Sequence, residues 1–374
     1  MNQENITVNS LAEIIDFFEK HETKGSPNGL ILRGEAQKYA YTARDPEKIQ
    51  PPQCVPNFYG PVPTLFRDLY SEDVKDYGCI YKERDLFYSF IEHYPELRQS
   101  HLSPLDWLML QRHYGMPSRL LDWTRNVLVA TYFAVEEENC GKDGVIYFCD
   151  RDDFWLRADN VSQLIDFIAG FATVPDMKKL AEYIVKEAKL IDIPYDYQKK
   201  LQSGYPNIWS QFDPHISQYI KTLTTEAERM KIEIIFYLIE SNPLIIDRPR
   251  SNIRVIAQHG LFTIHAGFYS NLMPVMNFIP FPPILKSHSK KGDAASVDKT
   301  LNLKVLFISK DAKRKIKHSL ERMGIHEASL FPDDMDRFVK YAKKSRSGIL
   351  KSPLQTFEHK GKSSISGNLK NEGF

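Results

Sequence analysis

Apolar residues take up helical spacing almost at once. Leu11, Ile14, Ile15 and Phe18 form one stripe, and Ser10 and Glu13 stand at capping-box spacing ahead of it. A Gly/Pro turn over Gly25–Gly29 leads into a short apolar strand, Leu30-Ile31-Leu32, that ends at Arg33-Gly34. Residues 40–65 are rich in Pro and turn formers and read as a surface loop, and residues 71–99 read as an amphipathic helix. Ser103-Pro104-Leu105-Asp106 is a helix start, with an N-cap hydroxyl, a first-turn proline and an acid at the third position; that helix should stop near Gly115. Thr124 is placed to cap a helix running through Val127, Ala130, Thr131 and Ala134, and Gly144–Cys149 reads as a buried strand.

Beyond this the pattern is mostly helical from 151 to 245. Arg254–His265 alternates like paired strands around Gly260, and residues 283–300 are polar, Ser/Lys-rich and loop-like. Lys304–Ile308 reads as a strand, followed by a helix capped by Ser309, carrying Ile316, Leu320 and Met323, and closed by Gly324. From about 343 the periodicity is gone, and the Ser/Lys/Gly-rich remainder is expected to be a disordered tail.

Composition narrows the class. The chain has 374 residues, 42% of them hydrophobic, which is enough for one large domain or two average ones. A net charge of +1 gives no global field toward nucleic acid or an anionic membrane. Cys54, Cys79, Cys140 and Cys149 form no CxxC pair and read as reduced thiols. The start of the chain is not a signal peptide, and no window approaches a membrane span, so a cytoplasmic protein is expected. His93, His101 and His113 lack metal spacing, and phosphate-loop, dinucleotide-fingerprint and nucleophile-elbow motifs are missing. The basic run Lys310, Lys313, Arg314, Lys315 and Lys317 reads as the solvated face of a helix.

Candidate chemistry gathers in three places. Arg33-Gly34 ends a strand, where a guanidinium fork suits phosphate or carboxylate and glycine permits close approach; the alternative is a salt bridge with a glycine turn. In Arg112–Thr124, RHYGMPSRLLDWT, Arg119 and Asp122 are three apart and can pair on one helical turn. As a site, this block turns Arg119 and His113 toward an anionic ligand, with Trp123 as a stacking face. As architecture, it is a buried polar network tying a helix to a sheet. Gln258, in Gln258-His259-Gly260, offers an amide to a ribose or a base edge, or satisfies a turn. Phe331-Pro332-Asp333 reads as a structural turn.

Four segments together resemble the FRG-domain family: LILRGEA at 30–36, RHYGMPSRLLDWT at 112–124 with VATYFA beyond it, RVIAQHGLFTIH at 254–265, and GIHEASLFPDDMD at 324–336. The chain departs from the family pattern at Leu32, where Phe or Tyr is usual, at Arg112, where Gln is more common, and at Ser118, where Thr is. The resemblance implies one FRG-like domain over residues 28–342. An N-terminal helix (1–27) precedes it, a helical insertion interrupts it at about 151–250, and a tail (343–374) follows. The fold expected is α+β, a mixed or antiparallel sheet built from distant segments and flanked by helices.

Two functions are open. The order of elements resembles ADP-ribosyltransferase-like folds, with Arg33-Gly34, then Ser118 and the small-x-x-aromatic helix Ala130–Phe133, then Gln258 in place of the usual catalytic glutamate. That implies an enzyme acting on a dinucleotide such as NAD, taken as substrate, with Arg33, Asp122 and Gln258 as catalytic candidates and Gly34, His113, Tyr114, Ser118, Arg119 and Trp123 as ligand contacts. Gln258 cannot supply a carboxylate, so Glu35 or Asp122 would have to. The second function is a non-catalytic module binding a nucleotide, a phosphate group or an RNA end.

Overall fold

A computed structural model of the chain describes residues 6–22, 29–37, 61, 63–67, 78–96, 101–151, 158–192, 214–241, 243–246, 253–266 and 303–349. The chain runs β1 (Ile6–Val8), α1 (Leu11–Glu22), β2 (Leu30–Glu35), α2 (Thr64–Arg67), α3 (Gly78–His93), α4 (Pro104–His113), β3 (Leu120–Thr124), α5 (Val127–Val135) and β4 (Gly144–Asp150). The helical segment follows as α6 (Ala158–Gly170), a 3-10 turn, α7 (Met177–Leu190), α8 (Pro214–Leu223) and α9 (Glu226–Ser241). The chain continues through β5 (Leu244–Ile246), α10 (Ile253–Ala257), β6 (Gly260–Ile264), β7 (Lys304–Ile308), α11 (Lys313–Arg322), α12 (Glu327–Leu330) and α13 (Met335–Ile349).

The seven strands form one mixed sheet in the order β1-β7-β4-β2-β3-β6-β5, parallel at β1–β7 and antiparallel elsewhere. This is the α+β architecture expected, with neighbouring strands drawn from opposite ends of the chain. β1 was not expected: three residues are too short to show a period. Its partner β7 lies some three hundred residues away, at Ile6↔Leu306 and Val8↔Ile308. β1 and α1 therefore belong to the same sheet and core as the rest.

One face of the sheet carries two separate helical packings. Leu32, Ile146, Phe148, Leu306 and Ile308 lie under α1, α5 and α11. Leu120, Leu244, Ile246, Phe262 and Ile264 lie under α4 and the helices of the 151–250 segment. The register puts Asp122 on this same face, between Leu120 and Thr124. Asp122 thus stands at the seam where the two packings meet, and the site described below is built there. The opposite face holds a smaller apolar cluster that includes Ile31, Leu121, Trp123, Val145 and Tyr147.

Several local signals act as the sequence suggests. Ser103 and Asp106 close a capping box on α4, and the chain leaves that helix through Tyr114 and Gly115, whose φ of +81° favours glycine. The Ser10 hydroxyl accepts from the Glu13 amide at 3.2 Å, and Leu11, Ile14 and Phe18 are buried while Ile15 is exposed. Other expectations need correction. The segment 254–257 is helical rather than one arm of a strand pair, and β6 finds its partners in β3 and β5. Asn126, not Thr124, caps α5, its side chain accepting from Leu128 and Val129; the Thr124 hydroxyl accepts from the Asn126 amide. Ser309 gives α11 no side-chain cap, since its N-cap is Ala312. α13 stays helical to Ile349, past the expected start of the tail. Residues 350–374, the 283–300 loop and most of 40–65 lie outside the described residues. The basic face at 310–317 is not wholly solvated, because Lys313 is fully buried and Lys317 donates to the Glu136 carbonyl at 2.7 Å. Among the described residues no helix is long and apolar enough to cross a membrane.

Gly34 fixes how closely α5 approaches the sheet. A Cβ at this position would lie 1.9 Å from the Ala130 carbonyl oxygen and 2.8 Å from the Ala134 amide nitrogen. The alanines of VATYFA are small for the same reason: helix backbone rests directly on strand backbone. Gly34→Ala should therefore destabilise the fold by about 1–3 kcal/mol through overpacking. An unchanged denaturation midpoint in urea would mean that α5 does not sit there.

Candidate functional site

The site begins with a defect in the sheet. β2 and β3 share a ladder of a single pair, Leu32↔Thr124. One residue further along β2, the Arg33 guanidinium takes the place of a ladder partner: its Nη1 donates to the Asp122 carbonyl at 2.8 Å. Its Nε donates to Glu35 Oε1 at 2.9 Å, and Nη1 lies 3.7 Å from Asp122 Oδ2. From the other side comes Arg112, at the end of α4. Its Nε donates to Asp122 Oδ2 at 3.1 Å and its Nη2 closes on the same oxygen, while Nη1 reaches the Thr64 hydroxyl at 3.5 Å. Asp122 is thus bracketed by two guanidiniums, yet 38% of its side chain remains exposed. Burial alone would raise its pKa. The charge and hydrogen bonds of Arg112, with the charge of Arg33, outweigh that and hold it below the usual carboxylate range. Arg112 is raised in return, chiefly by the Asp122 charge.

A second cluster adjoins the first, because His113 follows Arg112 in the chain. His113 Nε2 lies 3.1 Å from Asp333 Oδ2, and Arg254 grips the same carboxylate at 3.1 Å and 3.3 Å while Nη1 donates to the His113 carbonyl at 3.4 Å. Burial first, then the Arg254 charge, push the His113 pKa down against the pull of Asp333. The imidazole is therefore neutral at pH 7, and Nε2–H is the donor to Asp333. Two guanidiniums approach the Phe331 ring, Arg254 at 5.1 Å and Arg337 at 3.8 Å from its centroid.

Of the residues singled out from sequence, Arg33 and Asp122 meet directly and His113 stands beside them. Tyr114 is exposed, with its ring stacked at 5.9 Å on Tyr94, next to His113. Gln258 is held at the edge of the seam: its carbonyl accepts from the Thr124 hydroxyl at 2.7 Å, and its amide donates to the Leu330 carbonyl at 3.1 Å. The turn that carries it includes His259 at φ +49°, a left-handed position that few non-glycine residues take.

The other candidates face elsewhere. Arg119 does not pair with Asp122: it stands on the bend just before β3, not on a helical turn with the aspartate, and its partners come from α3 and the end of β6. Its fully buried guanidinium is spent on Glu83 and on the carbonyls of His265 and Ala266. Trp123 is core, its indole N–H donating to Thr263 at 3.0 Å. Ser118 is buried, its hydroxyl accepting from the Leu120 amide and its backbone tied to Thr64 and Leu65. Gly34 admits α5 rather than a ligand.

Sequence reading passed over Arg112, Glu83 and Arg254 and took Asp333 for a turn residue. Arg112 left a trace, since it is one of the departures from the family pattern and falls on the residue that meets Asp122. Glu83 and Arg254 left none: a charged residue in an amphipathic helix looks solvated until its partner is known.

Three measurements follow from these charges. A depressed carboxylate contributes stability above its unfolded pKa, near pH 4, and loses it as pH falls through the lower folded value. Asp122→Asn should therefore melt below wild type at neutral pH and converge with it under acid; a gap independent of pH would remove the two-arginine bracket. For His113 the depressed pKa gives stability that is full above about pH 6.5 and declines as pH drops toward the folded value. His113→Gln should erase that step from the melting profile. Breaking the buried Arg119–Glu83 pair with Glu83→Gln should cost about 3–5 kcal/mol in urea denaturation.

Residues 58–143 match the FRG domain. The matched span runs from just before α2 to the residue before β4, and holds Arg112, His113 and Asp122. No curated protein and no solved structure matches the chain. With the RHYGMPSRLLDWT block inside the matched span and its aspartate at the centre of the seam, this chain carries an FRG domain.

Proposed function

We propose that the Arg33–Asp122–Arg112 centre binds the ribose and phosphate of a nucleotide, with NAD as the candidate substrate and cleavage of its N-glycosidic bond as the reaction. The observation that carries this reading is the half-exposed Asp122 carboxylate between two guanidiniums. A carboxylate in the middle of a simple phosphate site repels its ligand. Beside a sugar it has work to do: it accepts hydrogen bonds from vicinal hydroxyls while the flanking N–H groups donate to phosphate. Cleaving an N-glycosidic bond builds positive charge on the ribose, and a carboxylate fixed in the ionised state stabilises that charge without reorganising. In this reading Asp122 does what Gln258 cannot. Arg33 holds phosphate, His113 bounds the ligand as a neutral donor and acceptor, and the exposed Tyr114 ring offers a stacking face.

A second reading, a module that binds a nucleotide, a phosphate group or an RNA end without turning it over, is favoured by one feature. The centre is charge-balanced, Arg33 and Arg112 against Glu35 and Asp122, and an aspartate held below the usual carboxylate range is a poor general base. Incubation with NAD separates the two. Release of nicotinamide that Arg33→Ala abolishes, and that Asp122→Asn lowers by about 10²–10³ while NAD still raises the melting temperature, supports the enzyme. A nucleotide-dependent rise in melting temperature without product supports the module. If neither NAD nor simple nucleotides shift the melting temperature, both readings fail.

A further inference from the structure

The α5–β4 connection holds a cysteine against a buried lysine. Lys313, on the first turn of α11, is fully buried, and its ammonium donates to the carbonyls of Ala36 at 2.7 Å, Glu137 at 3.0 Å and Lys142 at 3.3 Å. Its remaining contact is Cys140 Sγ at 3.2 Å. Among the described residues no carboxylate lies within ion-pair distance of Lys313. A buried positive charge is costly unless a negative one compensates it, and the ionisable group touching this ammonium is the Cys140 thiol. Cys140 itself is only partly buried, so a small solute can reach it. Its sulfur also approaches the Lys142 carbonyl at 3.5 Å and the Ala36 carbonyl at 3.7 Å. Burial raises the thiol pKa and the Glu137 charge adds to that. The hydrogen bonds at Lys142 and Lys313 with the Lys313 charge prevail, and the net direction is downward.

We infer that Cys140 and Lys313 form a peroxide-responsive pair that closes into a covalent sulfur–nitrogen bond. In the first step the Cys140 thiolate attacks hydrogen peroxide. An S–O bond forms, the O–O bond breaks, and the departing hydroxide takes a proton and leaves as water. Sulfur is oxidised by two electrons to the sulfenic acid and the peroxide is reduced. In the second step Lys313, having given up a proton, attacks that sulfur through Nζ. The S–N bond forms, the S–O bond breaks, and a second hydroxide leaves as water. The net change is thiol plus ammonium plus peroxide to a sulfenamide, two waters and one proton. Sulfenic acids condense with nitrogen in this way when one is held beside them, and here the nitrogen is held in place by three carbonyls.

The experiment is peptide mapping of the full-length protein after brief exposure to hydrogen peroxide. The expected result is the Cys140 peptide joined to the Lys313 peptide, two hydrogens lighter than their sum, with the two peptides recovered separately after treatment with a thiol reductant. Lys313→Arg keeps the charge but should yield no bridge, leaving a sulfenic acid that dimedone traps at Cys140. Because that variant can lose stability, wild-type protein is also assayed with dimedone present from the start: trapping at Cys140 should suppress the bridge in proportion. Cys140 staying unmodified while other thiols react, or oxidising to the sulfinic acid with no joined peptide, overturns the inference.

Discussion

The seam on the helical face exists because β2 and β3 stop pairing after one residue pair, and a guanidinium spans the gap they leave. Arg33 replaces ladder hydrogen bonds with its own, donating to a β3 carbonyl that would otherwise face an empty edge. Full pairing at this point would occupy the Asp122 carbonyl and leave Arg33 with no reason to lie across the strands. The interruption thus opens a polar position in the middle of a seven-stranded sheet, and the arginine keeps that opening from becoming an orphaned backbone group.

Around this point the fold keeps charges in balanced sets. Arg33 and Arg112 answer Glu35 and Asp122; Arg254 and neutral His113 share Asp333; Arg119 answers Glu83 deep under the helical segment. These sets differ in exposure, and exposure separates their roles. Arg119–Glu83 is sealed, so its desolvation cost is met by close hydrogen bonding and its consequence is a fixed junction between α3, β3 and the end of β6. Asp122 is open to solvent on one side, so the same kind of pairing leaves a preorganised ionised edge available for a ligand. Lys313 differs from all of them, with backbone carbonyls and a thiol where the others have a carboxylate.

The site also joins the chain's distant parts. Arg33 comes from β2, Arg112 and His113 from α4, Asp122 from β3, Arg254 from α10 and Asp333 from the turn after α12. α5, seated on Gly34, holds β2 and β4 in place beneath this assembly, so the small residues of VATYFA serve the site from below without touching it. A change at that contact would reach Arg33 through the strand that carries both residues.

What the sequence determined alone was local. The helix start at Ser103, the stop near Gly115, the strands at 30–34, 144–149 and 304–308, and the density of polar groups in the RHYGMPSRLLDWT block all follow from signals within a few residues of each other. The mixed α+β architecture could be expected from their order. What only the tertiary structure decided was direction and partnership. Arg119 and Asp122 suggested a pair on a helical turn, but the segment is extended, and packing gives Arg119 to Glu83 and Asp122 to Arg112. Lys313 sat in a basic run that looked solvated, and the packing of α11 buried it against Cys140. Side-chain period and burial are properties of the element once it is docked, and residues some eighty to three hundred positions apart acquire their partners only when register and packing bring them together.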